Sequence, residues 1–288
     1  MDLRKFVCVA AILCIVAGSA TAKVEWTNAG GNQLWSNASN WMDPGGMPIV
    51  PDYWAEVAGI DVGIPGPIID ATVNQTYPGA MGINIGDSGD GTATVTMTGG
   101  VLEAGTQGTA TYGGTGWIVI GFGDGSNPNC HGVLNMEDGV INARWDLMLS
   151  AHGGGDGTVN QSGGTIYAHR LYVGWGGGTG QYNLDDGLLV FPWAPGSNDN
   201  AGNGTAISIY ETGNIDIEDG QMHIIGDWRD AIGQFITDGK ITGNDGTVTP
   251  VVNYDDMVAG YTVVYVPEPV SMLLIGLGGT VLLRRRKK

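Results

Sequence analysis

The chain has 288 residues, with 12 Lys and Arg against 29 Asp and Glu, a formal net charge of −17, and 51 glycines but only four phenylalanines. So acidic a chain repels a phosphate backbone, which excludes nucleic acid as a natural partner and disfavours anionic lipid. The glycines follow no G-x-y period, which excludes a collagen-like helix. Between Lys23 and Val264 no long amphipathic helical pattern occurs; short apolar runs lie between Gly, Asn and Asp turns, the pattern of an all-β chain.

Residues 1–22 read as a secretory signal peptide for the Sec export machinery. Arg4-Lys5 supplies a basic start, Phe6 to Val16 the apolar core of a signal helix, and Ala20-Thr21-Ala22 an A-x-A cleavage site, so the mature chain starts at Lys23. Cys8 and Cys14 leave with this segment. Cys130 is then the only cysteine, no intrachain disulfide is available, and a small buried hydrophobe is expected there rather than a nucleophile. Setting aside the signal and the basic C-terminus leaves 5 basic and 27 acidic residues, an exported body of about −22. Such charge serves solubility, or divalent-cation binding.

The segment 23–80 opens with Trp26 and Trp35 on either side of a Gly/Asn turn, which suggests a hairpin capped by aromatics. Trp35-Ser-Asn-Ala-Ser-Asn-Trp41 resembles the opening motif of autotransporter-associated β-strand repeat surface proteins. A Pro-rich stretch from Pro48 to Pro67 follows, with Ala55, Val57 and Ile60 in alternation, and Ile68 to Val73 reads as a strand. The segment is expected to be a β cap that hides the open end of a repeat stack.

Residues 81–265 carry the repeat. Gly132 to Ile141, Gly157 to Ile166, Gly180 to Leu189 and Gly213 to Met222 share the form Gly-x-[VYIL]-[ND]-[MLQI]-x-[DG]-Gly-x-[ILVM]. Ala93 to Leu102 fits with Ala for the first Gly, and Gly233 to Ile241 fits one residue short. The closing glycines 100, 139, 164, 187, 220 and 239 are 39, 25, 23, 33 and 19 residues apart. A second strand precedes several copies, at Trp117 to Gly121, Asp146 to Ser150, Leu171 to Gly174 and Ala206 to Tyr210. In each copy alternate residues such as Val159 and Gln161, or Tyr182 and Leu184, face the core with Asn between them on the other side, and Asp-Gly or Gly-Gly supplies a tight turn. One unit is too small to bury its apolar face, so stacking is required. The expected fold is an all-β, parallel β-helix-like solenoid of Gly/Asp-rich repeats, with loop insertions at Gly105–Gly114 and Phe191–Gly204; a β-sandwich is the alternative.

Catalytic patterns are sparse. His131, His152, His169 and His223 have no metalloprotease spacing, and no Ser sits in a G-x-S-x-G elbow. Three of the acid pairs Glu137-Asp138, Asp185-Asp186, Glu218-Asp219 and Asp255-Asp256 recur at one repeat position. That recurrence suits a turn, whereas a catalytic group needs to occur once. Asp87 and Asp90 in Asp87-Ser-Gly-Asp-Gly, and Asp156 in Gly153-Gly-Gly-Asp-Gly, resemble Gly/Asp-rich calcium loops without matching them in full, which makes Ca2+ the candidate cofactor. Trp117, Trp145, Trp175, Trp193 and Trp228 near strand ends would stack on sugars if exposed and pack the stack if buried.

The last segment, 266–288, has three parts: Pro267-Glu268-Pro269 within a stiff tetrapeptide, an uncharged apolar run at 270–283, and a basic end beginning Arg284-Arg285-Arg286. The run is apolar all round, as a transmembrane helix is, but its roughly 21 Å falls short of a bilayer core of about 30 Å. The cations would hold its end in the cytoplasm, with the body outside. This tail resembles the PEP-CTERM sorting signal. The resemblance implies recognition by exosortase, membrane attachment in the cell envelope, and a destination at the cell surface or in extracellular polysaccharide. The function expected is that of a non-enzymatic structural or adhesive protein. A carbohydrate-active enzyme, lyase or hydrolase, or a carbohydrate-binding module on the same scaffold is the alternative.

Overall fold

The structure is a computed structural model and describes residues 22–51, 56–70, 79–80, 82–87, 89–105, 116–123, 129–151, 153–192 and 206–267. The described chain is mostly β, as expected. In chain order its strands are β1 (Ala22–Trp26), β2 (Trp41–Met42), β3 (Glu56–Ile60), β4 (Ile68–Ile69), β5 (Gly79–Ala80), β6 (Gly82–Ile85), β7 (Gly91–Ala104), β8 (Trp117–Ile120), β9 (Cys130–Leu149), β10 (Asp156–Val173) and β11 (Gly180–Phe191). After them come β12 (Ile207–Ile209), β13 (Gly213–Ile217), β14 (Gln221–Ile225), helix α1 (Arg229–Thr237), β15 (Ile241–Gly243), β16 (Val251–Tyr254) and β17 (Tyr261–Tyr265). The signal segment before Ala22 and the apolar run at 270–283 lie outside the described residues. Among the described residues no helix is long and apolar enough to cross a membrane.

The strands assemble into three parallel ladders. The first runs through β4, the leading halves of β7, β9, β10 and β11, then β13 and β15. Its register is the repeat itself: Ala93 opposes Gly132, Gly132 opposes Gly157, Gly157 opposes Gly180 and Gly180 opposes Gly213. The second ladder takes β5, the following stretches of β7, β9, β10 and β11, and β14. The third joins β1, β3, β6, β8, the ends of β9 and β10, and β12. Strands of the 23–80 segment thus enter the same parallel pairing as the repeats, so this segment does more than close an end.

Alternation fixes which side is core. Val159, Gln161, Tyr182 and Leu184 are all fully buried, whereas Asn160 and Asn183 between them are partly exposed. The outward asparagines bond from rung to rung: Asn160 Nδ2 donates to Asn135 Oδ1 at 2.9 Å, and Asn183 Nδ2 to Asn160 Oδ1 at 2.7 Å. Stacked identical amides satisfy one another, which accounts for the repeated Asn without any ligand.

The Asp-Gly position differs from the tight turn expected. Gly139 and Gly187 do have positive φ, 96° and 87°, but the strand continues through them with a momentary irregularity in its pairing. The offset is the same on both sides, with Gln161 opposite Leu184 and Thr165 opposite Leu188, so no residue is added, and this bulge-like corner turns the strand from the first ladder into the second. The sixth copy is a larger departure. Residues 233–237 belong to helix α1, and the strand that pairs with Ile215 begins at Ile241. Ile232, Phe235 and Ile236 pack on the core at the i, i+3, i+4 spacing of a helix face, and this local period prevails over an incomplete repeat.

The first strands and the last strand of the second ladder are each covered. At the start, Trp26, Trp35 and Trp41 are buried edge to face, with centroids 5.0 Å and 4.6 Å apart, and Trp41 Nε1 donates to the Trp35 carbonyl at 2.8 Å. The antiparallel partner of Trp26 is Trp41, not the Trp35 side of a short hairpin. At the far end β17 pairs antiparallel with β14, and β16 with β17, so the second ladder finishes on a covered edge.

Candidate functional site

The candidate calcium acids stand apart, each bonded within the protein. Asp87 is 6% exposed and pairs with Lys23, and its Oδ1 accepts from Asn84 Nδ2 at 3.0 Å. Burial works against the Lys23 charge, but Asp87, Asp61 and Glu25 outweigh it and raise the ammonium pKa above its ordinary value. Asp90 accepts from Asn129 Nδ2 at 3.4 Å, and Asp156 from the Thr179 amide at 2.6 Å. Among the described residues no group of three His, Cys, Asp or Glu is placed to hold a metal ion.

The recurrent acids serve the bulges. Asp138 Oδ1 accepts from the Gly139 amide at 2.7 Å and Asp186 Oδ1 from the Gly187 amide at 2.6 Å. Asp185 and Glu218 gather with Asp216 and Asp245 near the far end. Desolvation first, then mutual repulsion, raises the pKa values of both Asp185 and Glu218. Asp216 is the anchored member, accepting from Thr242 Oγ1 at 2.6 Å and the Asp245 amide at 3.0 Å.

The histidines do not converge. His131 Nε2 lies 3.0 Å from Thr158 Oγ1, and His169 stacks on Trp145 with centroids 5.1 Å apart. His223 Nε2 lies 3.0 Å from Gln221 Oε1, and burial lowers its pKa; His152 lies outside the described residues. Cys130 is buried at 1% exposure. Of the residues expected to form a sorting motif only Pro267 is described; Glu268, Pro269, Arg284, Arg285 and Arg286 lie outside the described residues, as does Ala20. Ala22, the other residue of the expected cleavage site, begins β1.

What residue-by-residue reading missed is the outer face of the third ladder. Ile118, Ile120, Leu147, Leu149, Leu171 and Val173 point into the core, so the residues between them point out. There Asp146 opposes Arg170, and the two form a buried bidentate pair, Nε to Oδ1 at 2.7 Å and Nη2 to Oδ2 at 3.0 Å. The Arg170 guanidinium lies 4.6 Å from the Trp145 ring centroid and 5.5 Å from that of Tyr172. Val119, Met148 and Ala151 make a small apolar cluster separate from the main core, with Trp117, Phe122 and Tyr172 packed on it. Trp175 is 42% exposed beside Tyr172, with centroids 5.8 Å apart. Trp228 packs against the main core, and Trp193 lies outside the described residues. The signal was present in the sequence: Trp117, Asp146 and Arg170 occupy one position of the second-strand repeat, and two opposite charges in register foretell a cross-strand pair.

No family model, curated protein or solved structure matches the chain.

Proposed function

We propose that this chain is an exported, non-enzymatic structural or adhesive protein whose body is a β-solenoid. It is sorted through its C-terminal segment by an exosortase-type enzyme to the cell surface or its polysaccharide matrix. The observation that carries the structural reading is the in-register stacking of the repeat, in which the recurrent Asn and Asp side chains bond to neighbouring rungs and bulge amides. Residues committed to holding rungs together support a scaffold rather than a hydrolase or lyase, whose acids would meet at one place. Continuous parallel ladders with one core likewise support a solenoid over a sandwich, whose strands pair antiparallel in two sheets. The sorting reading rests on the Pro267-Glu268-Pro269, apolar-run and basic-end order of the tail.

Mass spectrometry of the C-terminus from intact cells tests the sorting. Loss of the peptide beyond Pro269 is the expected result. An intact Lys288 in the membrane fraction would instead make the tail a plain anchor.

A further inference from the structure

The outward rows of the ladders differ in kind. On the first ladder the outward residues are mostly polar, Thr94, Thr96, Asn135, Asn160 and Asn183 among them. On the second, the row that follows the bulge-like corners runs Val101, Val140, Thr165 and Leu188 from rung to rung. Leu102, Ile141, Ile166 and Leu189 beside them point into the core, so this row points out, and each of its four members is partly exposed. Backbone pairing holds the rungs whatever the outward side chains are, so the stack has no need of Val and Leu here. Apolar side chains gathered in a line at the surface mark a place of contact.

The strip is one row wide. On one side of it Glu103 pairs with Arg144 at 3.1 Å, and Val190 is buried. On the other stand the acid pairs Glu137-Asp138, Asp185-Asp186 and Glu218-Asp219, all but Glu218 exposed. Such a strip fits a slender apolar segment that ends in positive charge. The chain carries one, and it leaves from this row. β17 runs antiparallel to β14 and brings Tyr265 opposite Gln221, which in turn opposes Leu188. Residues 268–288, which lie outside the described residues, continue from Pro267. Their uncharged run at 270–283 measures about 21 Å as a helix, and the four strand spacings from β17 back to β9 come to about 19 Å. Arg284-Arg285-Arg286-Lys287-Lys288 then arrives beside Glu137 and Asp138, at the corner before Val140. A second copy fits less well, because two bodies of about −22 repel one another.

We propose that the outer row of the second ladder is a docking strip for the chain's own C-terminal segment. In the absence of a membrane the apolar run 270–283 lies across Leu188, Thr165 and Val140, and the basic end rests on Glu137 and Asp138. The exported chain thus shelters its most apolar stretch until something else takes it. The inference rests on the run and its cations and not on exosortase, so it goes beyond the sorting assignment.

Full-length protein in dilute buffer without lipid or detergent is treated with a water-soluble carbodiimide, which joins amines to carboxylates. The monomer band is then mapped by mass spectrometry. Links from Lys287 or Lys288 to Glu137 or Asp138 are expected, in excess over links to acids elsewhere such as Asp43 or Asp256. The double variant Val140→Thr with Leu188→Thr should reduce them at least fivefold with the β circular dichroism unchanged. Val133→Thr, on the outer face of the first ladder, should leave them as they are. The wild-type map decides alone if the double variant does not fold. Absence of these links, or links spread evenly over the acids of the body, would overturn the proposal. So would links that persist in the folded double variant, since charge alone would then hold the tail. Links confined to a dimer band would overturn it too, as would precipitation of the lipid-free chain. None of these results bears on cleavage beyond Pro269, so the docking can fail while the sorting assignment stands.

Discussion

Single residues in this protein matter most where the stack gives them no freedom. After three third-ladder strands the chain leaves through a glycine of positive φ: Gly86 at 72°, Gly121 at 74° and Gly174 at 78°. The equivalent position after β9 is Ser150, at 64°, fully buried, and its hydroxyl has no hydrogen-bond partner. A left-handed non-glycine and an orphaned buried hydroxyl both cost stability, so Ser150→Gly should stabilise by about 1 kcal/mol. A midpoint raised by roughly 2–4 °C in a thermal melt is the check. Gln161 is the opposite case, a buried polar side chain with every bond made. Tyr182 Oη donates to its Oε1 at 2.5 Å, and its Nε2 donates to the carbonyls of Leu188 at 3.0 Å and Gly164 at 3.2 Å. Burial pushes the Tyr182 phenol well above its ordinary pKa, so it remains a donor. Gln161→Leu strands that hydroxyl and should cost about 1–3 kcal/mol. Adding Tyr182→Phe should recover a large part of the loss, and a double-mutant cycle in denaturant measures the coupling.

Among the elements, the acidic far end has a pH signature. Desolvation and neighbouring carboxylates raise the folded-state pKa values of Asp185 and Glu218. The folded state therefore holds their protons more tightly than the unfolded chain. This contribution to stability is complete below the ordinary carboxylate range and lost as pH rises through the raised values. Asp185→Asn should raise the stability at pH 7, by less than about 1 kcal/mol because the side chain is largely solvated, and the gain should vanish below the ordinary carboxylate range. His223, whose pKa burial lowers, acts in the opposite sense: its contribution is lost as pH falls through the ordinary histidine value. Comparing Asp185→Asn with wild type across pH separates the two.

The elements also divide into those legible in the sequence and those not. Four full copies and Ala93 to Leu102 pair residue for residue, because the inward Val, Leu, Met and Tyr side chains and the outward Asn select one register, and a slip of one residue would turn them all over. Helix α1 was hidden because Gly233 to Ile241 imitates the repeat while Ile232, Phe235 and Ile236 follow a helical period, and nine residues are too few to arbitrate between them. The outer face of the third ladder was obscured for another reason. Its residues come from Asn84 to Tyr172, and only the pairing of distant strands reveals that they share a surface.

For the molecule as a whole, the proposed solenoid implies near-modular energetics. Gly180 opposes Gly213 with an offset of 33 residues that β14 shares, Leu188 opposing Gln221. Deleting residues 180–212 therefore places Gly213 on Gly157 and Gln221 on Thr165 with the bulge preserved. The shortened chain should keep its β circular dichroism and melt cooperatively at a lower temperature. Deleting an odd number of residues, about half as many, from the same point should abolish folding, because inward and outward side chains no longer match. Equal damage from both deletions would speak for a sandwich.

Length varies mainly at one passage of the circuit. From the second ladder to the third the chain goes directly from Ala143 to Asp146 and from Ala168 to Arg170, whereas Ala104 to Trp117 and Phe191 to Ile207 are long connections. The bulges, by contrast, keep one length. This passage is therefore the seam at which foreign sequence can be stitched in. A peptide tag or an enzyme grafted between Arg144 and Trp145 should therefore leave the pairing of all three ladders intact, read as an unchanged β circular dichroism spectrum.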